Sequence, residues 1–125
     1  MYSTNPEVQR KSESVAAALM KYFEQNPSMK SPYDGMCYVA SATLKKLVGY
    51  DVVLWKTRDN NNQFHWWCET NTGEVIDLTS KQYTDKNIES PSTGRAAKNK
   101  ERGRILSFGS YKKKVDDLLE IIKNS

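Results

Sequence analysis

Cys37, His65 and Asp77 are the residues whose types and order suit covalent chemistry. A thiolate attacks a carbonyl carbon, an imidazole takes and returns the proton, and a carboxylate holds the imidazole in one tautomer. Cys37 opens a helical stretch, Gly35-Met36-Cys37-Tyr38-Val39-Ala40-Ser41-Ala42-Thr43-Leu44-Lys45-Lys46-Leu47-Val48, that stops at Gly49. His65, the only histidine, begins the strand-like run His65-Trp66-Trp67-Cys68-Glu69, and Asp77 lies in the next one, Glu74-Val75-Ile76-Asp77-Leu78-Thr79. A thiol at a helix start, an imidazole on one strand and a carboxylate on its neighbour are the parts of a Cys–His–Asp nucleophilic site. The activity they predict is thiol-dependent acyl transfer, most simply hydrolysis of an amide or isopeptide bond through a thioester.

A free thiol ionises near pH 8.5, so a nucleophilic cysteine needs help to be a thiolate at neutral pH. The N-terminus of a helix supplies partial positive charge and unpaired N–H groups, and a nearby imidazolium adds a full charge. The Cys37 backbone N–H is also a candidate donor to the oxyanion formed on attack. Tyr33 is the candidate for the second donor.

Strand parity tests whether His65 and Asp77 can meet. Asn71-Thr72-Gly73 suits a three-residue hairpin loop with Gly73 in the left-handed position. That loop sets Thr70 opposite Glu74, hence Trp67 opposite Asp77 and His65 opposite Thr79. Side chains alternate faces, so His65, Trp67, Asp77 and Thr79 share one face and His65 is the diagonal neighbour of Asp77. A loop one residue shorter would put them on opposite faces. Cys68 falls on the other face and reads as core; Trp66 and Trp67 read as packing, with the one beside the site walling it from water.

The elements that must position these residues follow from periodicity. A first helix begins at Thr4 or Asn5, with Pro6 in its first turn, and Val8, Val15, Leu19, Tyr22 and Phe23 mark its buried face until Asn26-Pro27 ends it. The second helix runs from Cys37 to Val48, with Ala40, Ser41 and Ala42 allowing close backbone approach. Three β-rich runs follow, Asp51 to Thr57, Gln63 to Thr70 and Glu74 to Thr79, with Asp59-Asn60-Asn61-Asn62 as the first turn. Residues 80–106 hold few large apolar side chains and read as a long loop, with a short helix near Gln82. A closing helix within 107–125 carries Val115, Leu118, Leu119 and Ile122 on one face.

At 125 residues the chain reads as a single domain, 1–125, able to bury a core without disulfide or metal staples. No stretch approaches the roughly 20 apolar residues of a membrane span, and Met1-Tyr2-Ser3-Thr4-Asn5-Pro6-Glu7 lacks the basic-then-apolar pattern of a signal peptide. A cytoplasmic protein with unpaired cysteines is expected. One histidine and no CxxC argue against a zinc site, and no metal or cofactor is expected. The net charge of +4 is unevenly placed. Residues 95–114 hold Arg95, Lys98, Lys100, Arg102, Arg104, Lys112, Lys113 and Lys114 against the single acid Glu101. Such a run reads first as a solvated face, and second as a surface for phosphate or an acidic partner. It lacks the interleaved aromatics of a single-strand platform.

The run from Gly35 to Tyr83 resembles the YunG-like family of small bacterial proteins. It does so through Gly35-Met36-Cys37 before a small-residue helix, His65-Trp66-Trp67, and Gly73-Glu74-Val75-Ile76-Asp77-Leu78-Thr79-Ser80-Lys81-Gln82-Tyr83. Gln82 matches the family's Asp-Leu-Thr-x-x-Gln-aromatic pattern without an assigned role, and Trp67 stands where the family more often has a polar residue. More distantly, the Cys, His, Asp order is similar to that of papain-like and transglutaminase-like enzymes. That resemblance implies Cys37 as nucleophile, His65 as base and Asp77 as orienter. The expected fold is therefore α+β, papain-like or transglutaminase-like, with the Cys37 helix packed on a small antiparallel sheet. The expected partner is a protein or peptide substrate. The alternative is a catalytically silent binding module, or an inhibitor of a host protein, that uses the basic 95–114 surface to hold a protein or nucleic acid.

Overall fold

Asn5 starts the first helix by chemistry that its sequence announces. In the computed structural model, which describes residues 1–125, its side-chain oxygen accepts from the N–H groups of Glu7 and Val8. Pro6 occupies the first helical position, where a missing N–H costs nothing. Helix α1 then spans Pro6–Gln25 and buries Val8, Ser12, Val15, Ala18, Leu19 and Tyr22, while Phe23 is only half-buried. A side-chain cap of this kind stabilises a helix by about 1 kcal/mol.

Helix α2 spans Cys37–Val48, the bounds its sequence predicts, and buries every residue from Tyr38 to Leu44. Its small side chains let it lie deep between α1, the closing helix α4 (Gly109–Lys123) and the sheet. Its N-cap residue, Met36, makes no side-chain capping bond, so no side chain claims the N–H groups of the first turn. Helix α4 buries Val115 and Leu118 and rests Leu119 and Ile122 against the core. No helix is long and apolar enough to cross a membrane.

The sheet is antiparallel throughout, in the order β3-β2-β1-β4, with β1 at Val52–Arg58, β2 at Phe64–Thr70, β3 at Val75–Ile76 and β4 at Glu101–Arg102. Cys68 pairs with Ile76 and Glu69 with Val75, which is the register that the Asn71-Thr72-Gly73 loop predicts. Gly73 sits at φ +87°, a conformation the loop requires and a Cβ would strain. Strand β3 is shorter than expected: the run from Glu74 to Thr79 leaves the ladder after Ile76, so Asp77 stands just beyond the strand end.

The sheet has two different faces. Leu54, Cys68 and Ile76 join the α1, α2 and α4 side chains in a cluster of 18 buried residues. The opposite face carries Thr57, His65 and Trp67, all buried, yet Trp67 lies outside that cluster. What covers this second face is the 80–106 segment. The short helix expected near Gln82 is present as α3 (Lys81–Thr84), but the rest is more than a long loop: it adds a 3-10 turn at Arg95–Asn99 and strand β4 on the edge of β1. Polar contacts fasten it. The Thr57 hydroxyl donates to the Ala96 carbonyl at 2.9 Å, and Lys100 reaches both oxygens of Glu69 at 2.9 Å while lying over the Trp55 ring. Gly103 meets the Trp66 ring so closely that an added Cβ would lie 2.3 Å from it.

Candidate active site

Cys37 is half-buried at the first position of α2 and lines a cleft of about 700 Å³. Its S–H points to the carbonyl oxygen of Phe64 at 3.8 Å, which sets the sulfur beside the start of β2, one residue before His65. The cleft wall includes Tyr38, Trp66 and Tyr111, with the Tyr38 ring edge-on to both others. Cys68 is fully buried and donates to the Ser41 carbonyl at 3.3 Å; burial pushes its thiol well above the usual range. Both cysteines are unpaired.

His65 and Asp77 meet as the parity argument requires. Nε2 of His65 lies 2.7 Å from Oδ2 of Asp77, with side-chain exposures of 0% and 6%. Burial alone would depress the imidazole pKa. The hydrogen bond and charge of Asp77, with the Cys37 sulfur close by, outweigh it and raise the value to about 9. Nδ1 is buried and makes no hydrogen bond, which leaves it as the nitrogen that can serve Cys37. An imidazole with this pKa is a cation at neutral pH, carrying a proton on each nitrogen. The Trp67 ring stacks beside it at 6.1 Å and the Tyr83 ring meets it edge-on at 4.9 Å. Together they exclude water from the His–Asp contact.

Asp77 is the most heavily bonded side chain of the group. Oδ2 also accepts from the hydroxyls of Ser90 at 2.9 Å and Ser92 at 2.5 Å, and Oδ1 accepts from the Thr79 N–H at 3.2 Å. Burial would raise its pKa, but the hydrogen bond and charge of His65, then the two serines, hold it below the ordinary carboxylate range. Ser90 and Ser92 carry no sequence signal of a role: they flank Pro91 in a stretch without apolar periodicity. Tyr83 is likewise tied in, donating to Asp59 Oδ2 at 3.3 Å; burial, followed by the Asp59 charge, pushes its phenol up.

Tyr33 does not line the Cys37 cleft. It borders a neighbouring cavity with Tyr2, Met20, Lys81 and the far side of Asp77, which leaves the second oxyanion donor to another residue. Gln82 does line the Cys37 cleft, beside Tyr83.

A family model described as YunG protein matches residues 11–119, from the first helix through most of α4. The chain belongs to the YunG family. The match takes in the Gly35 to Tyr83 segment and the whole 80–106 cover, so Cys37, His65, Asp77, Ser90 and Ser92 all lie inside the family's span. No curated protein and no solved structure matches the chain.

The basic run is less free than its sequence suggests. Lys100 pairs with Glu69, Lys112 with Asp116 and Lys113 with Asp117. The last two are i,i+4 pairs on α4, which offset the cost of cations in its first turns.

Proposed function

We propose that this YunG-family protein is a thiol-dependent acyl transferase of papain-like or transglutaminase-like type, hydrolysing an amide or isopeptide bond in a protein or peptide. Cys37 is the nucleophile, His65 the acid–base and Asp77 the orienter. The observation that carries this reading is the buried Asp77–His65 pair. It locks Nε2 to a carboxylate, leaves Nδ1 to Cys37, and keeps the imidazole cationic at neutral pH. In attack, the Cys37 sulfur bonds to the carbonyl carbon and the π pair moves to oxygen. Collapse breaks the C–N bond, and the departing nitrogen takes its proton from His65. Water then gives a proton to the neutral imidazole as it attacks the thioester. The thiolate leaves, and a carboxylic acid is released.

The test is alkylation of the protein by iodoacetamide across pH, with Cys37→Ala as the blank. A thiolate held by an imidazolium should react at pH 6 nearly as fast as at pH 8, with the ion pair persisting until His65 loses its proton near pH 9. A rate that rises only through the free-thiol range would refute the proposal.

The silent-module alternative makes a separate expectation. With three of its cations already paired, and only Phe108 and Tyr111 as exposed aromatics, the 95–114 surface should bind random DNA or RNA no tighter than about 10 μM near 150 mM salt. The log–log salt slope should correspond to roughly one to three phosphate contacts. Nanomolar affinity that is lost on neutralising Lys112, Lys113 and Lys114 would favour the module.

A further inference from the structure

We infer that Gln82 is the second oxyanion donor of the Cys37 site, acting with the Cys37 backbone N–H on the carbonyl oxygen of the acyl substrate. The inference rests on the acyl-transfer reading and deepens it.

The oxyanion needs two N–H groups aimed into the space where the acyl group sits. The first is built in. Cys37 is the first residue of a helix, where the N–H has no intrahelical partner, and Met36 offers no side chain to cap it. For the second, the donor must border the same cleft, and Gln82 brings a half-buried carboxamide there, whereas Asn61, Asn62 and Gln63 on the same wall are exposed. The cations on that wall are differently placed. Arg58 stacks on the Phe64 ring and donates to the Asn62 carbonyl, and Lys86 is exposed to solvent.

Gln82 is also held in orientation. Its Nε2 donates to the Thr79 hydroxyl at 3.2 Å, and that hydroxyl lies 3.5 Å from Oδ1 of Asp77, which also takes the Thr79 N–H. One hydrogen of the carboxamide is used in this chain, which restrains the amide. The other is left for the cleft. A single carboxylate thus faces two ways: Oδ2 orients the imidazole, and Oδ1, through Thr79, orients the amide. This accounts for the spacing of Asp77, Thr79 and Gln82. The short helix α3 (Lys81–Thr84) turns Gln82 back toward the cleft while placing Tyr83 on His65. Thr79 is a positioning residue in this arrangement; Gln82 touches the reacting oxygen.

The chemistry separates this role from that of the thiolate. Attack on an ester moves the carbonyl π pair onto oxygen, and that charge is what Gln82 would meet. Alkylation by iodoacetamide displaces iodide at a saturated carbon and forms no oxyanion. The experiment compares both reactions at pH 6 on the whole protein, using p-nitrophenyl acetate for acylation and iodoacetamide for alkylation. Gln82→Ala should slow acylation by about a hundredfold while alkylation stays within about twofold of wild type. Gln82→Glu, which sets a negative charge beside the oxyanion, should slow acylation at least as much. Thr79→Val should lower acylation by a smaller factor, again sparing alkylation. Acylation by Gln82→Ala at the wild-type rate would overturn the inference. So would a parallel fall in both reactions, because Gln82 would then act only by supporting the Cys37–His65 pair. Wild-type protein whose thiol alkylates only above pH 8 would sink the acyl-transfer reading itself, and this inference with it.

Discussion

Replacing His65 by alanine is expected to cut the alkylation rate of Cys37 at pH 6 by about a hundredfold or more. A thiol with no imidazolium beside it ionises near pH 8.5, and less than about one part in a hundred of it is thiolate at pH 6. The rate lost at pH 6 should be recovered at pH 9, where any thiol ionises, so the pH profile and not the rate alone is diagnostic. His65 is wholly buried and partners a buried carboxylate, so its removal also costs stability. His65→Gln keeps a polar group near Asp77 without the titration and should show the same pH profile with less loss of fold. If either variant alkylates at pH 6 as fast as wild type, His65 is not the base.

The second large effect is expected at Asp77, and it concerns stability as much as chemistry. Asp77→Ala leaves the His65 imidazole without its counter-charge and the Ser90 and Ser92 hydroxyls without their acceptor. Breaking a buried pair from one side costs about 3–5 kcal/mol, enough to threaten a marginally stable protein. The pH dependence has a definite sign. His65 has a folded pKa of about 9, above its value of 6.5 when free, so its contribution is complete below pH 6.5 and is lost as pH rises through 9. Asp77 is depressed below 3.8, so its contribution is present above that pH and is lost as pH falls through the folded value. Wild-type thermal stability should therefore be greatest between about pH 4 and 6.5. It should decline by on the order of 3 kcal/mol, or about 10 °C in Tm, toward pH 9. Asp77→Asn, which keeps the shape and removes the charge, should flatten that decline. A wild-type Tm that rises between pH 6.5 and 9 would contradict the assigned pairing.

The positions that obey a short-range rule are legible in the amino-acid sequence itself. The bounds of α2 follow from Gly49 and a run of small residues, and α1 begins where Asn5 and Pro6 permit a capped first turn. The pairing of His65 with Asp77 is legible too, because a three-residue loop ending in Gly73 admits one register and strand parity does the rest. These are consequences of local backbone geometry, which a sequence carries directly.

What surrounds that pair is decided by tertiary structure. The 80–106 segment reads as loop because it buries little apolar surface, and the pattern of apolar residues is what marks an element in a sequence. It is instead fastened by single polar contacts across long separations: Ser90 and Ser92 to Asp77, Ala96 to Thr57, and Lys100 to Glu69. None leaves a period to read. The same contacts end β3 at Ile76, since Asp77 accepts from those serines and His65 just past the ladder's end, and they bury the imidazole that the sequence could only place on a face. Likewise, Tyr33 reads as a donor from sequence and Gln82 carries no role there; only the walls of the cleft separate the two. The chain thus determines by itself which residues can meet across a hairpin, because turn length and parity are local. Which groups desolvate and orient them depends on contacts between distant segments, and those exist only once the chain is packed.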